Sequence, residues 1–119
     1  MKEAARIVAI LFVSRDQAHR EHLKTRSYAQ HVALGEFYDQ VIDLADSFAE
    51  TAQGLYGILN IPYENPAPGQ IAAALDSHIG NIESLRKAFG KPEESCLLNI
   101  IDEISALFAK TLYKIQVLS

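Results

Sequence analysis

Apolar residues recur along this chain at the spacing of helices and nowhere with the alternation of strands. From Lys2 to Lys24 the residues Ile7, Val8, Leu11, Phe12 and Leu23 share one broad face, and Arg15, His19 and His22 project from the same side. From Ser27 to Gly57 or Asn60 a second stripe reads Leu34, Phe37, Tyr38, Val41, Ala45, Phe48, Ala52, Leu55 and Leu59. No Gly or Pro separates Lys24 from Ser27, yet the apolar face jumps there by roughly a quarter turn, which an unbroken helix would not need. Ser27 and Gln30 fit a capping box that would start the second helix.

Asn60 to Gly69, rich in turn residues, reads as a connector. A third helix is predicted from about Pro68 to Phe89, with Ile71, Leu75, Ile79, Ile82, Leu85 and Phe89 on one face and Gly90 as its stop. Pro92, Glu93 and Glu94 suit the first turn of a fourth helix. That helix carries Leu97, Ile100, Ile101, Ile104, Leu107, Phe108, Leu112, Ile115 and Leu118. Together they predict an all-α fold, a four-helix bundle forming one domain over residues 1–119. Eleven connector residues span at most about 37 Å. A helix of about 33 Å is only just within that reach. A connector crossing the length of the bundle and a plain up-down order both stay open.

The chain's 119 residues suffice for a real core, and its 49% hydrophobic and 22% charged content is that of an ordinary globular protein. Ile7 to Val13 is far shorter than the roughly 20 residues a membrane span needs, so no membrane partner is expected. A signal peptide is rejected, because charged, helix-compatible sequence follows at once with no small-x-small cleavage site. Cys96 stands alone and permits no internal disulfide, which fits a cytoplasmic protein; it is expected to be a buried helix residue. The net charge of −4 makes nucleic acid an unlikely partner, since a basic patch is missing. Ile7 to Val13 is apolar around nearly the whole helix, more than one intrachain core should cover. A homo-oligomer is therefore expected, at least a two-fold dimer.

The candidate chemistry is one series of residues: His19, His31, Asp46 and Glu50, spaced 12, 15 and 4 apart. Two imidazoles and a carboxylate pair one helical turn apart make a plausible ligand set for a first-row metal. His31 and Asp46 would lie about 22 Å apart on one straight helix. If the four form one site, two chains must build it. Glu36, Asp39 and Asp43 extend the acidic strip and read as a solvated face, and on pattern alone Asp46 and Glu50 fit a structural role as well. His22 reads as a bystander or a support for the ligands, and His78 as a hydrogen-bonded core histidine. Asp16 and His19 form a D-x-x-H pair, but no E-x-x-H follows on the third or fourth helix, so an intrachain di-iron site is poorly supported.

The order His-x11-His-x14-Asp-x3-Glu resembles the Dps or miniferritin branch of the ferritin-like superfamily. HVALGEFYDQVIDLADSFAE is similar to that family's second helix, and IDEISALFAKTLYKIQVL to its last. The resemblance implies a ferritin-like bundle and shells of twelve subunits. It implies a ferroxidase site at a two-fold interface, with His19 and His31 from one chain and Asp46 and Glu50 from the other. Iron would be the metal, as Fe2+ and Fe3+; Zn2+ or Mn2+ suits the same donors. The position four residues past His31, a carboxylate in that family, holds Gly35 here. A non-catalytic ferritin-like bundle, serving oligomerisation or partner binding, is the alternative reading. DNA compaction of the Dps kind lacks its basic tail.

Overall fold

A computed structural model describes residues 1–118; Ser119, the last residue of the predicted domain, lies outside them. Helix α1 spans Lys2–Lys24, α2 Tyr28–Tyr56, α3 Ile71–Leu85 and α4 Ser95–Val117. Short 3-10 turns at Arg86–Ala88 and Pro92–Glu94 link the last two. The bundle is 44 Å long and 24 by 21 Å across. One core joins all four helices, with Ile10, Leu11, Leu34, Phe37, Phe48, Leu75, Ile82, Ile101 and Phe108 all inaccessible to solvent.

Two glycines in the left-handed region set the helix limits. Gly57 at φ 91° ends α2, and Gly69 at φ 92° delays α3, which begins at Ile71 and not at Pro68. Most of the predicted stripes lie inside. Phe12, Leu23, Leu55 and Leu118 do not: all four are exposed. Cys96 is exposed too, against the expectation of burial, on the outer side of the first turn of α4.

The connector, residues 57–70, settles the topology. It leaves α2 at the end of the bundle where Tyr56 hydrogen-bonds Glu94, just before α4. Glu64 then pairs with Arg6 at 3.3 Å, and Ala67 meets Gln17 farther along α1. Gly69 to Ala72 finally line one pocket with Glu21, Lys24, Thr25 and Arg26 at the other end. The connector therefore crosses the bundle lengthwise, so α3 runs parallel to α2 and antiparallel to α1. Helix α4 returns to the α1–α2 turn, where Lys114 pairs with Glu36 at 2.9 Å. Each helix packs on two neighbours, with α1 opposite α4 and α2 opposite α3.

That route answers a puzzle in the sequence. Residues Ile7 to Leu11 are at most 2% exposed within a single chain. Helices α2 and α3 cover two sides of α1, and Ile61, Pro62 and Tyr63 of the connector line a groove with Ala9, Phe12 and Val13 on a third. The apolar girdle of α1 thus gives no reason of its own to require a second chain. Among the described residues, no helix is long and apolar enough to cross a membrane.

A half-buried polar cluster around the buried His78 fastens the connector. The Gln17 amide donates to Ala67 O at 2.9 Å and accepts from Ala67 N at 3.1 Å, as a strand edge would. Its oxygen also accepts from His78 Nε2 at 2.6 Å. His78 is thus the hydrogen-bonded core histidine that was expected, though its Nδ1 has no partner among the described residues. Burial pushes its pKa below the ordinary 6.5, with nearby Glu64 opposing. The unfolded chain then binds the proton more readily, so this group's contribution is full above pH 6.5 and declines as pH falls towards its lowered folded value. His78→Gln is expected to flatten the fall in urea midpoint between about pH 7.5 and 5.5, a window around the ordinary histidine value. Equal slopes for variant and wild type would contradict this account.

At the opposite end, Glu94 is buried and accepts from Tyr56 Oη and from Lys91 N at 3.0 Å. The Tyr56 hydrogen bond, then the backbone one, hold the Glu94 carboxyl below its usual range. Burial, reinforced by that carboxylate, pushes the Tyr56 phenol up. This pair ties the end of α2 to the start of α4.

Candidate functional site

The turn between α1 and α2 is three residues long. Thr25 and Ser27 are extended, and the Ser27 hydroxyl accepts from Gln30 N at 3.1 Å. The predicted capping box forms only in this half. Ser27 N–H donates to Thr25 Oγ1 at 3.2 Å, which takes the place of the return bond from Gln30.

Directly above the turn, His22 and His31 lock the two helices together. His22 Nδ1 donates to His31 O, and His31 Nδ1 donates to His22 O, both at 2.7 Å. His22 lies in the last turn of α1, whose carbonyls lack helical partners, so the His31 ring supplies one. The two rings stack with centroids 3.8 Å apart and planes 15° apart. A carbonyl can only accept, so each Nδ1 carries a proton. The neutral rings therefore keep their lone pair at Nε2. Ligand histidines are commonly fixed in this way.

The stack continues along the hairpin. His19 lies flat against Tyr38 at 4.1 Å, His22 meets the edge of Tyr38 at 5.2 Å, and His19 and His22 are 6.2 Å apart. The Arg15 guanidinium sits over the Tyr38 ring, 5.8 Å from its centre. His22, expected as a bystander or a support for the ligands, is the hub of this cluster.

Gly35 has a structural reason. A Cβ there would lie 3.1 Å from His22 Cε1 and 3.2 Å from its Nδ1, too close unless the ring moved. That ring is held by a stack and a hydrogen bond, so it cannot easily yield. The space a carboxylate would take at position 35 is filled by imidazole. Sequence spacing alone did not reveal this, because it depends on how closely the two helices approach.

Asp46 and Glu50 lie on the exposed side of α2, farther down the bundle from His31. Neither has a hydrogen-bond or ion-pair partner among the described residues. The structure therefore brings His19 and His31 into one cluster and leaves the carboxylate pair apart from it. Among the described residues, no three His, Cys, Asp or Glu side chains gather closely enough within one chain to hold an ion. The residues that sequence reasoning underrated are Tyr38, Arg15 and Gln17. Tyr38 read as core, and a lone Gln among polar helix positions gives no signal.

Residues 22–115 match the model of a family of unknown function, DUF5856. The chain belongs to this family. The stretch shared with DUF5856 takes in His22, His31, Gly35, Asp46 and Glu50, while His19 and most of α1 precede it. No curated protein and no solved structure matches the chain.

Proposed function

We propose that this DUF5856 protein is a ferritin-like bundle that binds iron between two copies of itself and oxidises Fe(II) there. His19 and His31 of one copy and Asp46 and Glu50 of the other are the ligands. The observation that carries this reading is the fixed tautomer of His31, whose Nδ1–H is anchored on a carbonyl so that Nε2 keeps the lone pair. The lengthwise connector between α2 and α3 supports it, since ferritin-like bundles carry one such crossover. Imidazole nitrogen with two carboxylates suits iron, and Zn2+ or Mn2+ would find the same donors acceptable. Each Fe(II) gives one electron to dioxygen or peroxide, and the protein supplies ligands and an acidic approach.

The packing of His22 into the space beside Gly35 favours a second reading, a non-catalytic bundle in which the stacked rings only clamp the hairpin. The test is an anaerobic Fe(II) titration followed by oxidation, read as Fe(III) absorbance. His31→Ala and Glu50→Ala should each lower oxidation. A mixed dimer of the two should recover one intact site of two, because one pairing escapes both lesions. Wild-type protein that neither binds nor oxidises Fe(II) would leave the clamp reading as the better account.

A further inference from the structure

The outer face of the α1–α2 hairpin carries unmatched charge of both signs. Arg15 is half-buried, and its Nε is shut off from solvent without an acceptor among the described residues. Other unpaired cations on the surface are solvated; this nitrogen is not. On α2, Asp39, Asp43, Asp46 and Glu50 are exposed, and none has a cation beside it among the described residues. At 100° per residue these four fall within a sector of about 60°. By the same measure Gly35, which faces His22 of α1, lies about 20° from that sector, and Tyr38, over which Arg15 sits, about 80° from it. The unmatched cation and the unmatched acids therefore lie on adjoining sides of the hairpin's outer face.

We infer that this face is a self-complementary interface, on which Arg15 of each copy pairs with Asp39 and Asp43 of a second copy across a two-fold axis. The half-buried Arg15 guanidinium has no ion pair of its own among the described residues, and its terminal nitrogens can meet carboxylates of a second copy with two parallel bonds. The same patch must serve both partners in a two-fold dimer, so each copy must offer both charges, as this one does. A foreign basic partner would neutralise the strip but press a like charge on Arg15.

The register rests on the metal reading above. That reading sets His31 opposite the second copy's Asp46 and Glu50, so the axis crosses α2 about midway between them, near residue 40. The Arg15 guanidinium, held over Tyr38, then faces the stretch of the second copy between its Asp39 and Asp43. These pairs form whether or not metal is present.

The test uses the full chain in chelator, with sedimentation equilibrium at low and high salt and circular dichroism as the check on folding. Wild type should be a dimer that weakens as salt rises. Arg15→Glu should raise the dimer Kd by about tenfold or more. Asp39→Arg with Asp43→Arg, both at exposed positions that the fold does not need, should do the same. Combining all three changes should restore the dimer.

A monomeric wild type, or a dimer indifferent to the Asp39 and Asp43 changes, would overturn the inference. So would failure of the combined variant to recover while its helix content is intact. Fe(II) titration of the wild type separates the two readings. A charge-dependent dimer that binds no iron sinks the metal site alone, whereas an iron-binding dimer indifferent to Arg15 sinks this interface alone.

Discussion

Phe108→Ala is expected to cost about 3–5 kcal/mol, the usual range for truncating a fully buried aromatic ring. Phe108 of α4 has no solvent exposure and meets Phe37 of α2 edge to face, with centroids 4.9 Å apart and planes at 84°. Deleting it removes that contact and opens a void where α2 and α4 pack, beneath helices too rigid to collapse into it. A domain of this size has a total stability of about 5–15 kcal/mol, so the loss approaches the whole in the weaker case. Urea unfolding should show the midpoint falling by roughly 1.5–2.5 M at an ordinary slope. Phe108→Leu, which keeps most of the volume, should lose far less. A midpoint moved by under about 0.5 M would mean that the core refills and is less tightly specified than the burial pattern says.

Gln17→Leu should release the connector and cost about 2–4 kcal/mol, because each buried group left unpaired costs roughly 1–3 kcal/mol. Three bonds end on this one amide: Ala67 N, Ala67 O and His78 Nε2. With leucine in its place, His78 has both ring nitrogens unpaired inside the bundle, and Ala67 loses both backbone partners. The sharper reading is local. Hydrogen exchange at the Ala67 amide should lose its protection, and proteolysis should begin within residues 57–70 while the amides of α2 and α4 stay protected. If Ala67 exchanges no faster in the variant, the connector is held by Ile61 and the Arg6–Glu64 pair, not by Gln17.

The four helices were legible because each buries a stripe that repeats every 3.6 residues, and Phe37, Phe48, Leu75, Ile101 and Phe108 all fall inside as the pattern requires. Apart from Phe12 in the middle of α1, the misreadings fall at helix ends, Leu118 just past α4 among them. Leu23 and Leu55 lie in final turns, where the neighbouring helix no longer covers them, and Cys96 lies in a first turn, exposed. The route of the connector was not legible, since it rests on a side chain mimicking a strand edge at Gln17, and periodicity carries no trace of that. His19 and His31 could be picked out as chemistry-bearing by type and spacing. Their real neighbours could not, because the reciprocal bonds of His22 and His31 require a three-residue turn of one particular geometry. Gly35 was the visible clue, and it becomes intelligible only beside the ring that fills its place.

The lengthwise connector also acts as a ruler. Surface loops ordinarily tolerate gain or loss of residues. This one must reach from one end of the bundle to the other, and its 14 residues extend to at most about 48 Å. A deletion of a few residues would drag α3 along its own axis, out of step with the side chains it meets on α1 and α4. A relative whose helices are longer by two turns, about 11 Å, would need about three more connector residues to keep the same register. Within DUF5856, connector length and bundle length should therefore change together.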